Sequence, residues 1–250
     1  MSPIRLMVIS LFAAAAGLVA WHWRGGSGIV GFQNTTAPLA MPQNGEIDDR
    51  FHFLTVWQNA QIPRSLRFDP PMGSEHGGLV YNAQKFMEMN EKRGGRHSGD
   101  DLNGIGGMNS DLGDPVFSTA DGLVVYAAEP SPGWGKTLII AHKAVDGRTL
   151  HSMYAHLHRI DVARGALVAR GMKIGAVGTS NGYYPAHLHF EMRVGQSVDI
   201  GAGYGESALN RLDPMATVTS LRNAAADALS PAPLARVLAK MTVSPSIPDR

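Results

Sequence analysis

The chain has 250 residues, 44% of them hydrophobic, and a formal net charge of +1. A charge this small gives no electrostatic reason to expect a nucleic acid or a highly acidic partner. The chain has no cysteine, which excludes disulfide bonds, thiolate catalysis and cysteine-ligated zinc, so any metal must be held by carboxylates and by some of the 10 histidines.

An apolar segment comes first in the chain. An almost uninterrupted run of apolar and small residues covers 6–21, after one positive charge. Such a run is typical of an export signal or of a single membrane anchor. Ala14 to Ala16 offer a small-residue cleavage pattern, whereas two tryptophans at the end of the run favour an anchor. We therefore expect residues 1–24 to be a signal peptide or a membrane anchor, the latter attached through residues 4–23, and the remainder to work outside the cytoplasm.

The rest of the chain divides by composition into four parts. Residues 25–50 are rich in Gly, Pro and Asn and are expected to be a linker. Residues 51–93 mix aromatic, Pro and Met residues and are expected to be an accessory segment packed on the next domain. Residues 94–216 form the regular domain, and residues 217–250 are expected to contain a short C-terminal helix and a tail, the helix arising in "ATVTSLRNAAADALS".

The regular domain reads as a series of short strands. In "PVFSTADGLVVYAAE" two strands surround Asp121-Gly122, a strong hairpin signal. "KTLIIAHK" and "LHSMYAHL" flank "AVDGR" and predict a second hairpin. "ALVARGMKIGAVGTS" predicts two more short strands, and "HLHFEMRV" the last one. Strands this short and closely spaced predict an all-β fold, mainly an antiparallel sheet or sandwich.

Two histidine pairs lie on these strands. His187 and His189 are spaced i and i+2, so a strand would point both rings to one face. In "YAHLH", His156 and His158 repeat that spacing and would share a face opposite Leu157. Either pair alone also fits a solvated polar strand.

A third cluster, His97 with Asp101, supplies a carboxylate in what looks like a loop. Gly95 and Gly99 would let the backbone bend there, and spacing alone does not decide between Asp101 and its neighbour Asp100. A catalytic zinc takes three protein ligands and keeps one position for water. Two histidines and one aspartate satisfy that count, and further histidines would stand nearby to exchange protons. The sequence therefore predicts a Zn²⁺ site carried by strands.

The three motifs "HSGDD", "MYAHL" and "HLHFE", in this order, resemble the signature motifs of the M23 (LytM/lysostaphin-type) zinc metallopeptidases. The resemblance spans about residues 94–214 and includes "GDPVFSTADGLV" and "GALVARGMKIGAVGTSNG". It implies a LytM-like fold, a duplicated hybrid motif with a groove that holds the zinc.

The resemblance also implies roles for five residues. His97, Asp101 and His189 would be the metal ligands, which makes Asp100 a bystander. His156 and His187 would be the catalytic, non-ligand histidines. No role follows for the remaining histidines of this region, His142, His151 and His158.

The function that the resemblance implies is zinc-dependent hydrolysis of peptide bonds in the stem peptides or cross-bridges of peptidoglycan, in the bacterial periplasm or cell envelope. An alternative is a catalytically silent activator of another cell-wall hydrolase, although all five positions are kept. A further alternative takes residues 165–182 as the hairpin of a lipoyl or biotinyl carrier, with Lys173 as the modified residue.

The chain departs from the family pattern at the expected rim of the groove. "NGIGGMNSDLGDPV" contains an insertion at residues 103–113, and Ala186 replaces the usual Gly or Pro before "HLH". "SNGYYPAH" brings two tyrosines close to the expected metal. We expect these differences to affect the choice of substrate rather than the zinc chemistry.

Overall fold

The computed structural model describes residues 50–73 and 77–222, which belong to one compact unit, Asp49–Arg250. The expected signal or anchor, nearly all of the expected linker and most of the C-terminal tail lie outside the described residues. No helix within the described part of the chain has the length and apolar character needed to cross a membrane.

Short strands, nearly all of them antiparallel, are the main regular structure of the described residues, which contain seventeen strands and two helices. The helices are α1 (Val56–Gln61) and α2 (Pro214–Ser220). The strands in chain order are β1 (Phe51–Phe53), β2 (Arg64–Ser65), β3 (Val80–Gln84), β4 (Met89–Asn90), β5 (Gly95–His97), β6 (Asp100–Gly104), β7 (Pro115–Phe117), β8 (Gly122–Ala128), β9 (Lys136–Ala144), β10 (Thr149–Leu157), β11 (Arg159–Ile160), β12 (Leu167–Val168), β13 (Lys173–Ala176), β14 (Leu188–Val194), β15 (Ser197–Asp199), β16 (Tyr204–Gly205) and β17 (Arg211–Leu212). The predicted all-β, mainly antiparallel class is confirmed.

A nine-stranded sheet forms the centre of the fold. Its main path is β12-β8-β9-β10-β14-β6-β3, with β17 beside β14 and β2 parallel to β9. Alternation along β9 places Leu138 and Ile140 in one hydrophobic cluster and Ile139 and Ala141 in another. The central strands are therefore covered on both faces, which fixes the register of the strands that reach the site.

One predicted hairpin is confirmed and one is wrong. β9 and β10 pair antiparallel on either side of "AVDGR". β7 and β8 do not pair across Asp121-Gly122, because β7 joins β13 and β11 in a separate sheet. Between them, the Thr119 N–H donates to the Tyr154 hydroxyl (2.9 Å), and Asp121 Oδ1 accepts from the Arg170 N–H (2.8 Å). These tertiary bonds carry the chain from one sheet to the other where the dipeptide predicts a turn.

The alternative of a lipoyl or biotinyl carrier is wrong, because the two strands of its expected hairpin do not pair with each other. β12 pairs with β8, whereas β13 pairs with β7 and β11. The two strands thus form no hairpin with Lys173 at its tip.

Strands from residues 51–93 pair with strands from later in the chain. β1 pairs with β15, β2 with β9, β3 with β6, and β4 with β5. At the other end, Asp213 is the N-cap of α2: its Oδ1 accepts the Ala216 N–H (2.9 Å), and Pro214 occupies the first turn. α2 covers residues 216–220 of the predicted C-terminal helix and ends before Leu221, and residues 223–230 of that prediction lie outside the described residues.

Candidate functional site

Three neighbouring strands bring together His97, Asp101 and His189. His97 ends β5, and Asp101 of β6 is directly opposite His189 of β14. The His97 Nε2 atom lies 3.1 Å from His189 Nδ1 and 3.3 Å from Asp101 Oδ1, and His189 Nδ1 lies 3.0 Å from that same oxygen. The structure thus converges three potential ligand atoms that are 92 residues apart at their extremes.

The spacing of these atoms fits a zinc ion. A tetrahedral zinc with bonds of 2.0–2.1 Å separates its ligand atoms by about 3.3 Å. The observed separations of 3.0 to 3.3 Å are close to that value. Two imidazoles and one carboxylate are also the donor types that zinc takes in catalytic sites without cysteine.

The charges around this triangle favour a cation. Burial alone would raise the pKa of the Asp101 carboxyl, but hydrogen bonds with His189 and His97 hold it well below its ordinary value. Burial would likewise lower the pKa of His189, yet hydrogen bonds with Asp101 and Glu191 raise it to about 9. Two carboxylates therefore favour positive charge at this position, and a divalent cation would supply it.

The predicted loop between His97 and Asp101 is only a two-residue bend, Ser98-Gly99, between two strands. Gly99 is needed there for space rather than for flexibility. A Cβ on this residue would lie 2.5 Å from the Phe190 carbonyl oxygen and 3.0 Å from His189 Nε2. The absence of a side chain is what lets the bend lie directly against β14.

A buried carboxylate behind His189 was not predicted. Glu191 Oε1 lies 3.0 Å from His189 Nε2 and accepts the Ser98 hydroxyl at 2.7 Å. Its Oε2 accepts from Arg193 Nε (2.7 Å) and Arg211 Nε (3.0 Å). Burial would raise the pKa of Glu191, but the charges of both arginines and its contact with His189 hold that pKa well below the ordinary value. The signal was present in "HLHFE", since Glu191 follows His189 by two residues and shares its strand face.

His156 and His187 lie on the open side of the triangle, with ring centroids 4.8 Å apart. His156 Nδ1 is 3.1 Å from the Trp134 carbonyl oxygen, and His187 Nδ1 is 2.8 Å from the Pro185 carbonyl oxygen. A carbonyl oxygen only accepts, so each ring donates from Nδ1, and in the neutral form of either ring the lone pair is on Nε2. His187 Nε2 lies 3.6 Å from Asp101 Oδ1, which places it beside the three potential ligand atoms.

Strand geometry at His156 departs from the predicted alternation. His156 has φ of 62°, and the register of β10 against β9 shifts between Tyr154 and Leu157. His156 is consequently buried beside the site while His158 is exposed, so the prediction that the two share one face is wrong. Burial, followed by the charges of His189 and His187, lowers the pKa of His156 well below its ordinary value. His156 is therefore neutral at pH 7 and able to accept a proton.

A cavity of about 390 Å³ opens over the five residues. Trp134 packs on one side, 5.1 Å from the His189 ring, and Tyr184 on another, 4.8 Å from the His156 ring. The cavity is lined by Gln84, Asn90, Arg93, His97, Asp101, Ser131, Gly133, Trp134, His156, Tyr184, Pro185, His187, His189, Gly203 and Tyr204. Tyr184 lies at the cavity, as predicted for the tyrosines of "SNGYYPAH". The insertion at residues 103–113 was also expected there, but none of its residues lines this cavity.

Asp100 is structural, in agreement with its place as a bystander. It is buried, and its Oδ1 accepts the Phe86 N–H at 2.9 Å while its Oδ2 accepts the Met215 N–H at 3.3 Å. Both oxygens therefore point away from the ligand triangle.

His142 and His151 are buried on β9 and β10 and do not line the cavity. His142 lies 2.8 Å from the Asp121 carbonyl oxygen and 2.7 Å from the Ser152 hydroxyl. Burial lowers the pKa of His142 to about 4, and burial together with the charges of His142 and Arg193 lowers that of His151 to about 3. Both are neutral residues of the sheet interior at pH 7.

Comparison with known proteins gives a consistent set of relatives. The model of peptidase family M23 matches residues 99–200. The peptidoglycan DD-endopeptidase ShyB of Vibrio cholerae is 40% identical over 83 residues, 33% of this chain and 18% of ShyB. Lipoprotein NlpD of Yersinia enterocolitica is 39% identical over 88 residues, 35% of this chain and 86% of that protein. The murein hydrolase activator NlpD of Escherichia coli is also 39% identical over 88 residues, 35% of this chain and 22% of its own length.

Among solved structures, lysostaphin from Staphylococcus simulans aligns with 68% of this chain and 61% of its own, at 22% identity and a TM-score of 0.48. The chain spans less than a fifth of the length of several curated relatives that it matches. The similarity is therefore one of a domain, and it includes the segment that carries Asp101, His156, His187 and His189.

Proposed function

The chain belongs to peptidase family M23, and from that premise we propose that it is a zinc-dependent endopeptidase acting on the peptides of peptidoglycan. The observation that carries the proposal is the convergence of His97, Asp101 and His189, with His156 and His187 on the open side. A purely structural polar cluster would not need two further histidines that line the same cavity and hydrogen-bond to the backbone through Nδ1.

In this proposal His97 Nε2, Asp101 Oδ1 and His189 Nδ1 hold the metal. Zinc bound there would lower the pKa of a water to about 7 and polarise the scissile carbonyl. Glu191 accepts the His189 Nε2 proton, which leaves His189 Nδ1 free to bind the metal. Trp134 and Tyr184 line the two sides of the cavity in which the peptide would lie.

His156 and His187 would carry the protons. Each has its Nδ1 proton held by a backbone carbonyl, so its Nε2 accepts a proton from the attacking water and returns one to the leaving amine. The hydrogen bonds to Trp134 and Pro185 also fix the ring orientations. A neutral His156, kept so by burial, is suited to begin as the base.

A second candidate function is that of a silent activator of another cell-wall hydrolase. The observation in its favour is that the relatives include both a DD-endopeptidase and a murein hydrolase activator at nearly equal identity. The five converging residues favour the enzyme, because an activator needs neither a metal triangle nor proton-carrying histidines.

The deciding experiment uses the purified full chain loaded with zinc, a chelator-treated sample and the same sample after zinc is restored. Each is incubated with isolated peptidoglycan, and released muropeptides are identified by mass spectrometry. Cleavage that is lost with the chelator and recovered with zinc is expected, and the fragment masses identify the bond. A zinc-loaded chain that releases nothing, yet accelerates an added amidase, would establish the activator instead.

The place of action follows from the substrate. Peptidoglycan lies outside the cytoplasm, in agreement with the expected signal or anchor in residues 1–24. We propose the periplasm or cell envelope, which fractionation of cells that produce the full chain would test.

A further inference from the structure

An arginine stands at the mouth of the cavity without a carboxylate partner. Arg93 is exposed, lines the cavity, and forms no ion pair with any residue in the described ranges 50–73 and 77–222. It is the only arginine or lysine among the described residues that line the cavity, and Asp101 is the only carboxylate. Since Asp101 faces the metal position, the arginine has no counter-charge within the cavity.

Two tyrosines hold the guanidinium in place. The Arg93 Cζ atom lies 5.6 Å from the centre of the Tyr184 ring and 5.8 Å from that of Tyr204, within the range of cation–π contacts. The Arg93 Nη2 atom also donates to the Tyr184 hydroxyl at 3.4 Å. Most of the N–H donors of Arg93 are left for a ligand.

The same tyrosines tie Arg93 to the reacting groups. The Tyr184 ring packs against His156 and His187, at 4.8 and 5.9 Å between centroids. The Tyr204 ring lies 5.3 Å from that of His97. The cation therefore has a fixed position relative to both the proton-carrying histidines and a metal ligand.

The backbone of Arg93 is fixed as well. Its N–H donates to the carbonyl and side-chain oxygens of Asn90, both at 3.1 Å, in the turn that joins β4 to β5. Gly94, with φ of 68°, completes this turn. The strand that follows ends at His97, so the turn places the charge in the same cavity as the three potential ligand residues.

We propose that Arg93 binds a carboxylate of the substrate, one within two residues of the scissile bond. This inference rests on the proposed function and narrows its substrate class to acidic peptides, as opposed to uncharged bridges such as oligoglycine. A guanidinium forms two parallel hydrogen bonds with a carboxylate but not with a carboxamide, which supplies the discrimination.

The test compares synthetic peptides that have Glu or Gln at each of the two positions on either side of a central amide bond. Binding to the zinc-loaded full chain is followed by intrinsic tryptophan fluorescence, to which Trp134 in the cavity contributes. This signal does not depend on cleavage. For at least one position the wild-type chain is expected to bind the Glu peptide about tenfold more tightly than the Gln peptide. Arg93→Gln should remove that ratio without changing the affinity for the Gln peptide, and Arg93→Lys should keep part of it.

The matched control is Arg96→Gln, an exposed arginine on the same hairpin whose Nη1 donates to the Met87 carbonyl oxygen. It should leave every ratio unchanged. If Arg93→Gln still binds the Glu peptide more tightly than the Gln peptide, the metal and not Arg93 would recognise the carboxylate, and the proposal would be overturned. Equal binding of the Glu and Gln peptides by the wild type at every position would also overturn it. A chain that binds as expected but never cleaves would refute the endopeptidase proposal and leave the role of Arg93 intact.

Discussion

The Glu191 carboxylate and the His189 imidazole are joined by a 3.0 Å contact between Oε1 and Nε2, on the opposite side of the ring from Asp101. A metal-bound histidine commonly donates its other N–H to a carboxylate, which fixes the ring and increases its basicity. In this chain the partner is itself held by Arg193 and Arg211. The orientation of His189, a proposed zinc ligand, thus depends on a buried ionic network.

Glu191→Gln should therefore weaken zinc binding. The amide keeps the size of the side chain but removes its charge, and we expect the zinc dissociation constant to rise about 10- to 100-fold. Competition with a chromophoric chelator measures it, and circular dichroism checks that the variant is folded. Glu206→Gln, at an exposed position, is the control. An unchanged zinc affinity in a folded Glu191→Gln protein would refute the role given to this carboxylate.

The division between ligands and proton carriers predicts two different defects. Asp101→Ala should lose both bound zinc and hydrolysis, because it removes an atom that we propose as a zinc ligand. His187→Ala should keep zinc but lose about 100-fold or more in rate, because it removes only a proton carrier. Metal analysis beside a peptidoglycan digestion assay separates the two. His158→Ala, an exposed histidine, should change neither quantity; a zinc-replete and fully active His187→Ala protein would show that the roles are wrongly assigned.

The close approach at Gly99 predicts a steric defect. Gly99→Ala would place a methyl group against the Phe190 carbonyl and the His189 ring, so β5 and β6 must move away from β14. We expect a loss of zinc affinity and a lower midpoint of thermal unfolding. Gly205→Ala is the matched control on the neighbouring strand β16, since its Cβ would meet nothing nearer than 3.8 Å. Equal behaviour of the two variants would contradict this explanation.

The buried histidines of the central sheet predict a pH-dependent stability. Burial is the main reason why the pKa of folded His151 is lowered from 6.5 to about 3. The charges of His142, Arg193 and His52 lower it further. Between these values the unfolded chain binds a proton that the folded chain does not. The stability contributed by neutral His151 is therefore complete above pH 6.5 and is lost as the pH falls toward 3.

His151→Asn should flatten this dependence. Urea unfolding of chelator-treated protein between pH 6 and 4 should show a slope smaller by about 1.4 kcal/mol per pH unit than that of the wild type. His158→Asn replaces an exposed histidine and should leave the slope as it is. A wild-type slope retained by His151→Asn would mean that other groups cause the acid sensitivity.

Local patterns were sufficient for much of the fold. The strand-like runs on either side of "AVDGR" predicted the hairpin of β9 and β10, and the i, i+2 spacing of His187 and His189 predicted that both face one site. The hairpin predicted at Asp121-Gly122 is wrong, since Asp121 instead accepts a hydrogen bond from the Arg170 N–H, 49 residues away. A dipeptide carries no information about such distant partners.

The site was predictable where motifs are local and less so where the contacts are distant. The proximity of His97 to His189 depends on the pairing of β6 with β14, which spacing does not reveal. The left-handed backbone of His156 could not be foreseen, since a β-bulge at a non-glycine residue has no clear sequence signal. Arg93 and Tyr204 reach the cavity from opposite ends of the domain, and nothing in their own surroundings indicates it.

The two adjacent aspartates have a mechanical consequence. Asp100 tethers the backbone of Phe86 through one oxygen and that of Met215, at the start of α2, through the other. Both tethers end one peptide bond away from Asp101. A truncation at residue 213 would leave Asp100 Oδ2 without this partner and loosen β6 beside the proposed ligand Asp101, without removing any proposed ligand. The affinity for zinc should therefore also report whether the segments around Phe86 and Met215 are bound to Asp100.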